Sequence, residues 1–199
     1  MKILRRDISR FSDEQLMELL GTKRCNEALT ELHARYGKKV LGFFMRMFKG
    51  DLNQSQDFVQ ELFMRILSKH HQFDSTKRFY SWMFTIASNM CKSEFRKPTN
   101  TSISEDGYEL NDLASWEESS LDKKVFRSAL NEAIESLQVN HKEVFYLRFI
   151  EELSVKEIAE VTDVSEGTVK SRIYYATKKV TAQLSEFNPQ YDGTIFKMN

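Results

Sequence analysis

Residues 153–173 read Leu153-Ser-Val-Lys-Glu-Ile-Ala-Glu-Val-Thr-Asp-Val-Ser-Glu-Gly-Thr-Val-Lys-Ser-Arg-Ile173. Ile158, Ala159 and Val161 give a short helix an apolar side. A turn of about three to four residues follows, and Ser165 offers its side-chain oxygen as the N-cap of the next helix. On that second helix Val169, Ile173, Ala176, Val180 and Leu184 recur at helical spacing and define an inner face. A small residue at Ala159, an apolar one at Val164 and a cap at Ser165, in this order, predict a helix-turn-helix. At about 100° per residue, the opposite face of the second helix carries Thr168, Lys170, Ser171, Tyr174, Tyr175 and Lys178, with Arg172 on its flank. Short donors and rings suit base edges and cations suit phosphates, so this face is expected to bind duplex DNA. A merely solvated face is the alternative, and the turn chemistry argues against it.

Composition agrees with helices throughout. Seven Gly and two Pro in 199 residues leave few turn residues, which nearly excludes an all-β sandwich. The 29 basic and 29 acidic residues cancel overall, but they are segregated along the chain. Residues 1–100 carry 18 basic and 11 acidic side chains, residues 101–122 carry seven acids and no base, and residues 123–199 are balanced at 11 each. Cys25 and Cys91 stand alone, without C-x-x-C spacing or a neighbouring His, so neither a disulfide framework nor a metal site is indicated, and no cofactor is expected. The N-terminus has charge without an apolar core behind it, and the longest apolar runs are short, so the expectation is a cytoplasmic protein with no membrane insertion.

Upstream, four helical patterns follow one another. Ser12 caps a first helix whose acids Asp13 and Glu14 lie near the positive end of its dipole. A second runs from about Arg24 to Lys49 and is broken at Gly50-Asp51. A third, from about Gln54 to His70, turns Phe58, Val59, Leu62, Phe63 and Ile66 inward. A fourth, Phe79 to Lys97, places Trp82, Ile86, Ala87 and Met90 along one side and ends at Pro98. Residues 98–120 show no apolar periodicity and contain nine Ser, Thr or Asn, the composition of a flexible acidic linker. The expected fold is therefore all-α: two small helical domains, residues 1–97 and 121–186, joined by that linker and followed by an irregular tail, 187–199. Helices in the second domain are expected at about 121–137, 140–150, 154–161 and 166–185.

The basic half holds a second constellation. Asp57, Gln60, Glu61 and Met64 share one arc of the third helix, away from Phe58 and Leu62, and only Arg65 beside Glu61 could neutralise it. Such a polar stripe suits docking. After it, Phe73, Phe79, Tyr80, Trp82 and Phe84 lie amid Lys77, Arg78, Lys92, Arg96 and Lys97. Cations that track a backbone and rings that stack unpaired bases are the chemistry of single-stranded nucleic-acid binding. Some of these rings belong to the core. Asn89, seven residues after Trp82, lies on the same arc and carries an amide able to read a base edge.

These segments together resemble the extracytoplasmic-function (ECF) group of the sigma-70 family of bacterial transcription initiation factors. Residues 12–97 are similar to sigma region 2 and residues 125–184 to region 4. The matches are Asp57-Phe-Val-Gln-Glu-Leu-Phe, Trp82-Met-Phe-Thr-Ile-Ala-Ser-Asn, Glu157-Ile-Ala-Glu and Gly167-Thr-Val-Lys-Ser-Arg. The resemblance implies a sigma factor that binds core RNA polymerase, directs it to promoters and promotes melting. It implies that Asp57, Gln60, Glu61 and Met64 dock on the β′ clamp helices, and that region 4 meets the β flap. The 70–78 loop and Asn89 would capture an unpaired base of the minus-ten element, helped by Phe73, Lys77, Arg78, Phe79, Tyr80 and Trp82. Thr168, Lys170, Ser171, Arg172, Tyr174, Tyr175 and Lys178 would face the minus-thirty-five element. An anti-sigma factor is a further expected class of partner, though no residue identifies one.

The chain departs from the family pattern in places. Many members have Asp three residues before an Arg at the end of region 2, where this chain has Ser93 before Arg96. The helix-turn-helix turn commonly has Gly, and here Asp163 takes that place, which Asp tolerates because it can adopt a left-handed backbone. A basic residue is common where this chain has Tyr175.

Two other readings compete. A regulator binding duplex DNA without sigma activity would share the helix-turn-helix but not the first domain. An enzyme built on His70, His71 and Asp74 lacks a nucleophile or phosphate loop, so no catalytic residue is expected. The linker can serve two promoter elements about 70 Å apart, because 23 extended residues reach about 76 to 83 Å.

Overall fold

The computed structural model describes residues 8–97 and 121–187; the acidic stretch 98–120 and the tail after Phe187 lie outside these. The chain divides into two compact units, Met1–Tyr108 and Glu109–Asn199. Among the described residues every regular element is helical, in agreement with the all-α expectation. None of these helices is long and apolar enough to cross a membrane.

The first unit contains α1 (Asp13–Leu19), α2 (Cys25–Met47), α3 (Leu52–Lys69) and α4 (Phe79–Phe95). Ser12 caps α1 through a capping box with Gln15, and the helix lays Leu16 and Met17 against α2. The long α2 buries Leu32, Val40, Phe43 and Phe44 completely. Its end is set by backbone conformation: Lys49 and Gly50 both have positive φ, 54° and 88°. Asp51 then accepts from the Gln54 N–H at 2.9 Å and starts α3 two residues earlier than periodicity alone predicts. That turn folds α3 back on α2, and Val59, Leu62, Phe63 and Ile66 fill the seam. Phe58, expected inside, is half-buried at its edge, packed edge-on to Phe48 with ring centres 4.6 Å apart. Removing a fully buried ring such as Phe43 or Phe84 from this core costs about 3 to 5 kcal/mol.

The second unit contains α5 (Leu121–Glu135), α6 (Val139–Phe149), α7 (Val155–Thr162) and α8 (Glu166–Gln183). Its core gathers Ala133, Ile134, Val144, Leu147, Leu153, Ile158, Val161 and the inner side of α8. An ion pair at the edge of that core ties α6 to α5: Lys142, 5% exposed, meets Glu135 Oε2 at 2.6 Å, and the Glu135 side chain is 34% exposed. Deleting Glu135 would leave the buried Lys142 ammonium without this partner, at a cost that water reaching the exposed side of the pair keeps below that of a fully buried pair.

Candidate nucleic-acid interface

In the second unit the helix-turn-helix is built from caps. Ser154 and Glu157 form a capping box at the start of α7, with Ser154 N–H donating to Glu157 Oε2 at 2.9 Å. Asp163 ends α7 in the left-handed conformation, φ 56° and ψ 51°. Ser165 Oγ accepts from the Thr168 N–H at 3.2 Å and starts α8. Val169, Ile173, Ala176 and Val180 are all 2% exposed or less, so the inner face is as expected, while Leu184 is only half-buried.

The outer face of α8 presents Lys170, Ser171, Tyr174, Tyr175 and Lys178 to solvent. Tyr174 and Tyr175 are 57% and 58% exposed and pack edge to face, 5.4 Å apart. These are large apolar surfaces that the unit leaves uncovered. Arg172 is half-buried on the flank, and Thr168 is half-buried with its hydroxyl 2.9 Å from Ser165 Oγ, so Thr168 serves the cap first.

In the first unit, Asp57, Gln60, Glu61 and Met64 lie exposed along one side of α3, Met64 at 60%. Glu61 is engaged by Arg65, 2.8 Å away. Asp57 makes no side-chain hydrogen bond or ion pair among the described residues.

A carboxylate helps to order the 70–78 loop. Asp74 Oδ1 accepts from the Thr76 hydroxyl at 2.7 Å and from the Thr76 N–H at 2.9 Å. Those bonds, then the Lys77 charge, lower the pKa of Asp74. The turn presents Lys77 and Arg78 to solvent immediately before α4. Phe73, Phe79 and Trp82 form a triangle with centroid separations of 5.3 to 6.3 Å. Their burial differs: Phe73 and Trp82 are half-exposed, whereas Phe79 is 1% exposed.

Phe79 is therefore corrected from a strand contact to the floor beneath the other two rings, because no face of it is open for a base. Tyr80 is half-buried against Phe84, and Lys39 of α2 lies over its ring, 5.4 Å from the centroid. Asn89 is exposed, and its amide makes no hydrogen bond among the described residues. Its carbonyl accepts from Ser93 Oγ at 2.8 Å, which ties only its backbone.

Sequence reasoning did not assign three residues to this site. Tertiary packing alone brings Lys39 and Tyr36 to the start of α4 and Asp13 to Tyr36. Tyr36 contacts Phe79 and Tyr80 at 5.4 and 5.7 Å, and its hydroxyl donates to Asp13. Burial, then the hydrogen bond to the Asp13 carboxylate, raises the Tyr36 pKa and keeps the phenol protonated.

Comparison with known proteins places these surfaces in a family. The model for sigma-70 region 2 matches residues 32–101, and that for sigma-70 region 4 matches residues 127–180. The ECF RNA polymerase sigma-E factor of Haemophilus influenzae is 32% identical over 183 residues, covering 85% of this chain and 94% of the relative. The RNA polymerase sigma-H factor of Pseudomonas aeruginosa is 28% identical over 190 residues, 89% of this chain and 96% of the relative. In fold, the chain is similar to the sigma factor RpoE, solved with the anti-sigma factor NepR from Bartonella quintana. The TM-score is 0.60 at 21% identity, over 78% of this chain and 96% of that one. With both conserved regions matched in order and a relative of this identity spanned almost end to end, the chain belongs to the ECF group of the sigma-70 family and directs RNA polymerase to promoters.

Proposed function

We propose that the two units divide promoter recognition between melted strand and duplex. The observation that carries this reading is Asn89: an exposed amide with no internal partner, on the arc of α4 that also holds the half-exposed ring of Trp82. A base turned out of the minus-ten element would meet the rims of Phe73 and Trp82, and the Asn89 amide would read its edge. Lys77 and Arg78 would hold the adjoining phosphates. Residues 1–97 form the unit that does this, residues 98–120 the connecting acidic linker, and residues 121–186 the unit that grips the minus-thirty-five duplex through α8.

Energetics explain why polymerase is needed. Opening duplex costs about 1.4 kcal/mol per base-pair step, and one stacked base returns about 1 to 3 kcal/mol. Capture of one or two bases nucleates a bubble that core polymerase then extends. The stripe Asp57, Gln60, Glu61 and Met64 docks the first unit on the β′ clamp helices, and the second unit meets the β flap. An anti-sigma factor would compete for these surfaces, a partner class for which the likeness to the RpoE–NepR structure is the support.

The test is transcription of genomic fragments by core polymerase with this chain, followed by mapping of RNA 5′ ends. Starts sharing two upstream elements are expected. On a promoter so mapped, Asn89→Ala should lower the reactivity of the opened bases to permanganate about tenfold, the scale of one lost base contact, while leaving polymerase binding intact. Unchanged melting by this variant would overturn the reading.

A further inference from the structure

The start of α4 lacks a cap of its own. Its N-cap residue is Arg78, which offers no side-chain acceptor, and its first turn contains no acid. An acid of α1, Glu14, faces it instead. Glu14 has a lowered pKa, held down by its own backbone N–H, then by the Ser12 hydroxyl, the Phe79 backbone N–H and the Arg78 charge, against the opposing effect of burial. One residue earlier, Asp13 accepts from the Tyr36 hydroxyl through Oδ2 and from Arg35 Nη1 at 2.8 Å through Oδ1. Arg35 also donates to the Ser9 carbonyl at 2.9 Å and to Glu31 Oε1 at 2.8 Å, so the carboxylate is fixed from both sides. The Tyr36 ring then lies against the first two residues of α4, Phe79 and Tyr80.

This arrangement is more than helix packing. The apolar side of α1 is already satisfied by Leu16, Met17 and Leu20, all at most 4% exposed. On its polar side, Asp13 holds Tyr36 of α2, whose ring lies against Phe79 and Tyr80, while the Phe79 N–H and the Arg78 charge act on Glu14. Phe79 is the floor under Phe73 and Trp82, so any rotation of the first turn of α4 tilts both rings and moves Lys77 and Arg78.

We propose that Tyr36, held by Asp13, is a positioning residue for strand capture, and that α1 is a brace setting the angle at which the 70–78 loop and α4 meet the minus-ten strand. Tyr36 itself need not touch DNA. The inference rests on the strand-capture reading above and adds to it the part of the molecule that makes the capture surface rigid.

The experiment uses the full chain with core polymerase on a promoter mapped from the wild-type protein's own start sites. The variants are Tyr36→Phe, Asp13→Asn and Asn89→Ala, with Tyr36→Phe combined with Asn89→Ala. Tyr36→Phe keeps the ring and removes only the hydroxyl. Its open-complex yield is expected to fall about fivefold, with affinity for core polymerase unchanged, and Asp13→Asn should behave alike. In the Asn89→Ala background the Tyr36→Phe effect should shrink towards none, because the base contact that the angle of α4 serves to align is gone.

Multiplying effects in the double variant would mark a purely structural role and overturn the proposal, as would wild-type yield for both Tyr36→Phe and Asp13→Asn. If Tyr36→Phe lowers the thermal midpoint too far to assay, Glu14→Ala and Glu14→Gln decide the matter. The Gln side chain retains an acceptor for Phe79 N–H and should preserve melting, whereas Ala should not; equal behaviour of the two would refute the brace. A wild-type result for Asn89→Ala alone would instead sink the strand-capture reading, which keeps the two failures apart.

Discussion

Asp163 and Ala159 close the helix-turn-helix: the Asp163 N–H donates to the Ala159 carbonyl while Asp163 holds φ 56° and ψ 51°. The Val164 N–H shares that carbonyl at 3.2 Å. A left-handed backbone costs a non-glycine residue about 1 to 2 kcal/mol, least for Asp and Asn. Asp163→Gly should therefore leave stability within about 1 kcal/mol of wild type, strain relief being offset by the freer unfolded chain. Asp163→Val should destabilise the second unit by about 1 to 3 kcal/mol, since a branched side chain cannot relax there. Thermal melting of the two variants checks the ordering, and a Val variant as stable as the Gly variant would contradict it.

On α8 the cations and the rings should fail differently. Lys170 is exposed on the outer face, suited to a phosphate. Lys170→Ala should lower the magnitude of the log affinity against log salt slope by about 0.9 on duplex DNA and weaken all sequences alike. Tyr175→Ala should leave that slope unchanged and relax selection at the minus-thirty-five element, each lost base contact being worth about 1 to 3 kcal/mol. Fluorescence anisotropy at several salt concentrations, with specific and scrambled duplexes, separates the two.

The stripe on α3 invites a similar separation. The Glu61–Arg65 pair is open to water, with side chains 53% and 40% exposed, so Arg65→Ala should change stability by no more than about 0.5 kcal/mol. Met64 is the apolar centre of the stripe, 60% exposed. Placing a carboxylate there by Met64→Asp should cut affinity for core polymerase about a hundredfold, the scale of a buried interface anchor, with the melting temperature unchanged. Retained binding would remove α3 from the docking surface.

Local chemistry explains what was legible before the structure. The helix-turn-helix follows from neighbours: Ser165 caps its own helix, Asp163 adopts its own left-handed turn, and Val169 to Val180 repeat within one helix. The stripe on α3 was legible for the same reason. Depth is another matter. Phe73, Phe79 and Trp82 look alike in sequence, and only the packing of α2 against the start of α4 puts Phe79 at the bottom. Asp13 and Tyr36 are 23 positions apart with no shared periodicity, so their pairing is a product of the tertiary fold. As N-terminal acids of α1, Asp13 and Glu14 read only as helix-dipole partners, and their second use was hidden.

His141 offers a reporter of duplex binding. Its pKa is lowered from 6.5, first by burial and then by the charges of Arg172 and Lys179 on α8. A depressed histidine makes the folded state resist protonation more than the unfolded state does. The stability it allows is thus complete above about pH 6.5 and declines as pH falls through the interval below it, and His141→Asn should flatten that decline. Lys179 is tethered to the Ser136 carbonyl. Arg172, on the flank of the DNA face, is the cation whose charge a bound phosphate would compensate. Binding then relieves one of the repulsions on His141 and raises its pKa, so duplex binding takes up a fraction of a proton and tightens as pH falls through the same interval. Nuclear magnetic resonance titration of the His141 ring with and without duplex measures the change directly. An upward shift that Arg172→Gln removes places Arg172 on phosphate, and an unmoved titration curve removes it from the interface.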